Sequence, residues 1–158
     1  MFLFNSLIVF IISMIPLIEL RGAVPLGVGL GLPEPLVLLI AIIGNMIPVP
    51  FIYKFARIFL EWGKDQKYTK KFCNFCLKKG EKAGKKLEKS AGDSLYVALF
   101  FFVGIPIPGT GAWTGTLAAS LLDLDRKKTI LAVSCGVLFA GLIMLAISFG
   151  VFQMLFPS

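Results

Sequence analysis

The sequence predicts an all-α integral membrane protein arranged as an inverted-topology repeat, each half a re-entrant helical hairpin followed by one transmembrane helix. Three observations predict it. Of the 158 residues 57% are apolar and only 16% charged, with mean hydropathy +0.86, against about 45–50% and about 25% in soluble domains. Two apolar stretches are interrupted by clustered prolines and glycines, and each is followed by one of spanning length. Finally, ten of the sixteen Lys and Arg residues fall between Lys64 and Lys89, and three more are Arg126, Lys127 and Lys128.

The first hairpin is predicted over 1–33. Its apolar start lacks a cationic leader and a small-residue cleavage site, so it is expected to stay in the mature protein. Pro16, Glu19, Arg21, Gly22 and Pro25 interrupt the stretch and leave a second arm, 24–32, too short to cross a bilayer core of about 30 Å. Pro33-Glu34-Pro35 makes the turn into a full span over 35–62. The basic segment 63–93 reads as an amphipathic helix with Phe72, Cys76, Gly80, Ala83 and Leu87 on one stripe and lysines around it. The second hairpin, 94–122, is broken by Gly104, Pro106, Pro108, Gly109 and Gly111; its second arm is 112–122. After a polar turn, 123–128, the last span covers 129–152. Irregular backbone at membrane depth survives only where protein buries it or a wet cavity solvates it, so the paired breaks point to hairpins lining a site.

The halves, 1–62 and 94–152 of a single membrane domain, repeat in layout. Setting Arg21-Gly22-Ala23 over Thr110-Gly111-Ala112 aligns Leu32 with Leu121, and three extra residues in the second turn bring Gly44 over Gly136. Placing the basic segment in the cytoplasm puts Arg126, Lys127 and Lys128 on that side too and gives the halves opposite orientations. The chain is therefore expected to be a multi-pass protein of the cell membrane.

Composition also excludes chemistry. The absence of histidine removes Ser-His-Asp or Cys-His catalysis, a His-ligated metal and a histidine proton relay. Cys73 and Cys76 form a CxxC without the βαβ context of a redox site or the further ligands of a closed zinc site. No metal, cofactor or enzymatic activity is expected. A pI near 9.5 is accounted for by a cytoplasmic loop, and no nucleic-acid partner is expected.

Glu19 and Arg21 are the only charges in the first 33 residues, and ionisable groups at membrane depth are functional candidates by default. Spaced two apart, they do not face each other on a regular helix. In the second hairpin, Pro106, Pro108, Gly109 and Gly111 prevent a continuous helix. Ala112 then opens a half-helix whose amino terminus attracts an anion: a phosphate, a carboxylate or the Glu19 side chain. The expected binding residues are thus Glu19, Arg21, Gly22 and Pro25 in the first hairpin and Pro106, Pro108, Gly109, Thr110, Gly111 and Trp113 in the second. Asn45, beside Pro48 and Pro50, is the further candidate in the first span; Lys54 and Arg57 read as snorkelling anchors.

Glu19-Leu20-Arg21-Gly22-Ala23-Val24-Pro25 followed by Pro106-Ile107-Pro108-Gly109-Thr110-Gly111-Ala112-Trp113 resembles the prokaryotic small multidrug export protein family over nearly the whole chain. More remotely the layout is similar to the DedA/VTT (SNARE-associated) superfamily. That resemblance implies two opposed re-entrant hairpins with embedded acidic and arginine residues, and proton-coupled transport or the flipping of lipids such as polyprenyl phosphates. Glu19 matches the acidic position of the first hairpin and 106–111 the tip of the second; the arginine stands in the first hairpin, as Arg21, rather than in the second. The implied function is a small transporter moving an anionic lipid-linked or other amphipathic substrate, its head group held by Arg21 and the half-helix. The alternative is export of cationic compounds, with Glu19 binding the cation. A polyprenyl-pyrophosphate phosphatase is the third reading, but Pro108-Gly109-Thr110-Gly111 matches only the opening of the Pro-Gly-x-Ser-Arg-Ser-Gly hairpin of those enzymes. The expected partners are membrane lipids and a second copy of the chain, since one copy offers little protein to bury its irregular tips.

Overall fold

The computed structural model describes residues 1–16, 18–66, 70, 71, 74, 94–107 and 110–155. These form an all-helical bundle: α1 (Phe2–Met14), α2 (Glu19–Gly29), α3 (Glu34–Met46), α4 (Pro48–Gly63), α5 (Ser94–Gly104), α6 (Ala112–Leu121) and α7 (Arg126–Leu155). Two stretches are long and apolar enough to cross a membrane, Glu34–Ala56 and Arg126–Val151. Most of the predicted basic helix of 63–93, including Cys73 and Cys76, lies outside the described residues, as do Pro108 and Gly109.

The expected span 35–62 is two helices, parted at Ile47. Pro48 has no N–H to give to the Gly44 carbonyl and Pro50 none for that of Met46, which interrupts the ladder at that point. The last helix begins at Arg126 rather than 129, because the Asp125 carboxylate accepts the Lys128 amide at 2.9 Å and caps its start. A third difference lies in the first hairpin. Its second arm starts at Glu19, not residue 24, and holds Gly22 and Pro25 inside a helix. Packing of α2 against α1, α3 and α7 overrides the local breaking tendency, as neighbouring helices commonly do for prolines in apolar bundles.

The long helices are antiparallel. The Tyr53 hydroxyl donates to the Leu124 carbonyl and the Ser120 hydroxyl to the Tyr53 carbonyl at 2.9 Å, while a Cβ on Gly141 would lie 2.7 Å from Leu38. Each hairpin enters and leaves at one end of the bundle. In the first, Asn5 near the start of α1 reaches the Leu30 carbonyl beyond the end of α2. In the second, the Tyr96 hydroxyl near the start of α5 accepts the Asp125 amide beyond the end of α6. The two tips contact each other. At 13 and 11 residues, α1 and α5 reach roughly 20 Å and 16 Å at 1.5 Å per residue, short of a crossing.

Local geometry matches between the halves. After α2 the Leu32 amide bonds the Gly27 carbonyl and Gly31 has positive φ; after α6 the Leu124 amide bonds the Ala119 carbonyl and Asp123 has positive φ. Both are Schellman-type caps. They give Leu32 and Leu124 the same position beyond their helix ends, whereas the sequence alignment sets Leu32 over Leu121. Gly44 sits on α1 where a Cβ would lie 2.7 Å from the Phe10 carbonyl oxygen, and Gly136 sits on α5 where it would lie 2.9 Å from that of Phe100. Across the halves, α2 packs on α7 and α6 on α4.

Candidate functional site

The two hairpin tips are joined by Glu19 and Arg21, each directed to a different helix end. Glu19 opens α2 with φ 52°, a left-handed conformation that costs a non-glycine residue about 1–2 kcal/mol. The conformation directs its carboxylate across to α6. There Oε2 accepts the Ala112 amide at 3.3 Å and Oε1 the Trp113 amide at 3.0 Å. A helix's first amides have no partner within the helix and its amino end carries roughly half a positive charge, so the carboxylate satisfies both needs. Glu19 is 3% exposed. Gly111, before α6, has φ 138°, and a Cβ there would collide with the Glu19 carboxylate; conformation and close approach both require glycine.

Arg21 treats the second hairpin's other arm in the opposite sense. Its guanidinium donates to the Ile107 carbonyl, to those of Ile105 (3.2 Å) and Val103 (3.4 Å), and to Thr110 Oγ1 at 2.8 Å. Val103 belongs to the carboxyl end of α5 and the other carbonyls follow it, so a permanent cation sits where backbone oxygens lack helical partners. Arg21 and Thr110 are the residues that the sequence comparison superposes, 89 apart, and they touch.

The structure thus brings Glu19, Arg21, Thr110, Gly111 and Trp113 together. Pro106 lies in the irregular tip segment that Arg21 spans, and Gly22 follows on α2, where a Cβ would collide with Ile18. Pro25 is exposed on α2. Asn45 is elsewhere: it is fully buried on α3, and neither its side-chain oxygen nor its nitrogen has a hydrogen-bond partner among the described residues. No group of three or more acidic or cysteine residues among the described ones could hold a metal ion.

Sequence reasoning missed a groove beside this junction. Pro16, Ile52, Phe55, Ala56, Trp113, Thr114 and Leu117 line an open, almost wholly apolar cleft of about 430 Å³ between α4 and α6. Trp113 belongs to both, its amide held by Glu19 and its side chain lining the cleft. Phe55 already carries a cation, with Lys54 Nζ 5.8 Å from the ring centre. The available signal was the spacing of Ile52 with Phe55 and of Trp113 with Leu117, which places each pair on one helix face.

No curated protein and no solved structure matches the chain. A family model of small multi-drug export proteins matches residues 19–143, a region that opens on Glu19 itself and includes the α6 terminus it caps, the Arg21 contacts and the groove. The chain belongs to the small multi-drug export protein family.

Proposed function

We propose that this protein exports amphipathic, cationic organic compounds and that the α4–α6 groove receives them. The groove carries the reading: its volume is that of a small-molecule site, its lining is apolar, and two aromatic residues, Phe55 and Trp113, are among the residues that line it. The family description supports it, and the fate of the anion-binding groups favours it over a lipid phosphate. The α6 amino terminus is taken by Glu19, and the Arg21 guanidinium by four oxygens of the second hairpin. Glu19 acts as a positioning residue, holding the helix start that carries Trp113.

In this reading the hairpins are re-entrant and the halves an inverted repeat in the cell membrane, with the basic segment cytoplasmic. The antiparallel long helices, the opposed hairpins and the matched caps support that arrangement. The working unit is a homodimer, because Ile105 and Ile107 leave the second tip exposed and irregular backbone is not left facing hydrocarbon. A functional monomer, measured by mass in native-like lipid, would overturn the dimer.

Export is tested in proteoliposomes with rhodamine 6G as cationic dye and fluorescent phosphatidylglycerol as anionic lipid. The dye is expected to move, and Trp113→Ala or Phe55→Ala to slow it about tenfold, the loss of a cation–π contact with its packing. Lipid exchange is expected to stay at the protein-free rate. Movement of the lipid with none of the dye overturns the proposal.

A further inference from the structure

We infer that a second groove, between α5 and α7, is a binding site for an anionic phospholipid. Tyr96, Val97, Phe100, Lys128, Leu131, Ala132 and Cys135 line an open cleft of about 460 Å³ that shares no residue with the α4–α6 groove. Its chemistry is split along its length. Val97, Phe100, Leu131 and Cys135 form an apolar floor between two helices, suited to an acyl chain.

The other end is cationic. Lys128 is exposed, its Nζ 5.4 Å from the centre of the Tyr96 ring, and Arg126 and Lys127 stand exposed on the same first turn of α7. The carboxylates beside them are Asp123 and Asp125, and Asp125 is engaged by the Lys128 amide. Three cations share the amino end of α7, whose first amides are already capped by Asp125, so a negative charge there meets attraction from the side chains rather than from the helix end. The Tyr96 hydroxyl accepts the Asp125 amide and retains its own proton to donate to a phosphate oxygen. A molecule with one apolar chain and one phosphate matches both halves; a neutral or zwitterionic lipid satisfies only the floor.

Cys135, exposed on the groove wall, reports occupancy. The test uses the full chain with Cys73→Ser and Cys76→Ser in neutral detergent, following N-ethylmaleimide alkylation of Cys135 as dioleoyl phosphatidylglycerol or dioleoyl phosphatidylcholine is added. Phosphatidylglycerol is expected to slow alkylation at concentrations about fivefold lower than phosphatidylcholine, the preference one cation near a phosphate confers. Lys128→Ala should erase that preference and Lys128→Arg keep it, with helicity by circular dichroism unchanged in both. Equal protection by the two lipids, protection by neither, or a preference that survives Lys128→Ala overturns the assignment. Dye export is not part of the readout, so this site and the export proposal fail separately.

Discussion

Glu19 and Arg21 stand two apart, yet their side chains serve opposite ends of two helices, the amino end of α6 and the carboxyl end of α5. Each charge has the sign its helix end favours. Glu19→Gln retains the shape but turns one oxygen into an N–H facing an amide donor, so it is expected to lower stability by about 1–3 kcal/mol, as for a buried donor left unpaired. Gly111→Ala is expected to cost a similar amount, about 1–3 kcal/mol, from strained φ and the collision with Glu19. Gly29→Ala, where a Cβ meets no atom of the described residues within 4 Å, should instead stabilise by about 0.4–1 kcal/mol. Arg21→Lys should lie between wild type and Arg21→Ala, since an ammonium keeps the charge but cannot span four acceptors. Thermal unfolding in one detergent, followed by circular dichroism, orders all five; a Gly111→Ala variant as stable as Gly29→Ala would refute the junction. Glu19, Arg21 and Gly111 were legible because a charge or glycine is conspicuous in an apolar stretch. The carbonyls that hold Arg21 were not, because backbone acceptors carry no side-chain signature.

At the scale of elements, each long helix is seated on its hairpin by a glycine. A Cβ at Gly44 would meet the Phe10 carbonyl and collide with the Ser13 hydroxyl; one at Gly136 would meet the Phe100 carbonyl and the Val103 side chain at 2.8 Å. Small residues let helix backbones approach where lipid offers no hydrophobic drive for association. Gly44→Ala and Gly136→Ala are each expected to destabilise by about 1–3 kcal/mol through overpacking. Ser13→Gly should partly rescue Gly44→Ala, by removing the hydroxyl but not the carbonyl, and leave Gly136→Ala unrescued. Rescue of both would mean that the effect is not local. Gly44 and Gly136, which the sequence set in register, each sit against a backbone carbonyl of a neighbouring helix. The helical state of Gly22 and Pro25 was not legible in the sequence, because packing against three neighbouring helices decides it and propensity does not. The matching helix caps were not legible either: they depend on positive φ at Gly31 and Asp123, and aspartate adopts it without advertising it in a hydropathy pattern.

For the whole molecule, charge placement and fold converge on one arrangement. The Ser120 and Leu124 contacts of Tyr53 put the start of α7 beside α4, so Lys64, at the end of α4, and Arg126, Lys127 and Lys128 share one end of the bundle, while Glu34 begins α3 at the other. The sequence alone placed the same groups on one side from loop charge, without knowing which helices touch. Two separate arguments, electrostatic and geometric, therefore predict opposite accessibility for Glu34 and Lys127. Single cysteines at Glu34, Lys64 and Lys127, in a chain with Cys73, Cys76 and Cys135 replaced by serine, should react with a membrane-impermeant maleimide from two sides of sealed vesicles. Cys at Lys64 and Lys127 are expected to label from the cytoplasmic face and Cys at Glu34 from the other. If Glu34 and Lys127 label from one face, the long helices do not cross as an antiparallel pair, and the opposed re-entrant hairpins fall with them. If the two faces are exchanged, the fold survives and only the orientation assigned from lysine and arginine fails, because reversing the whole molecule leaves every internal contact intact.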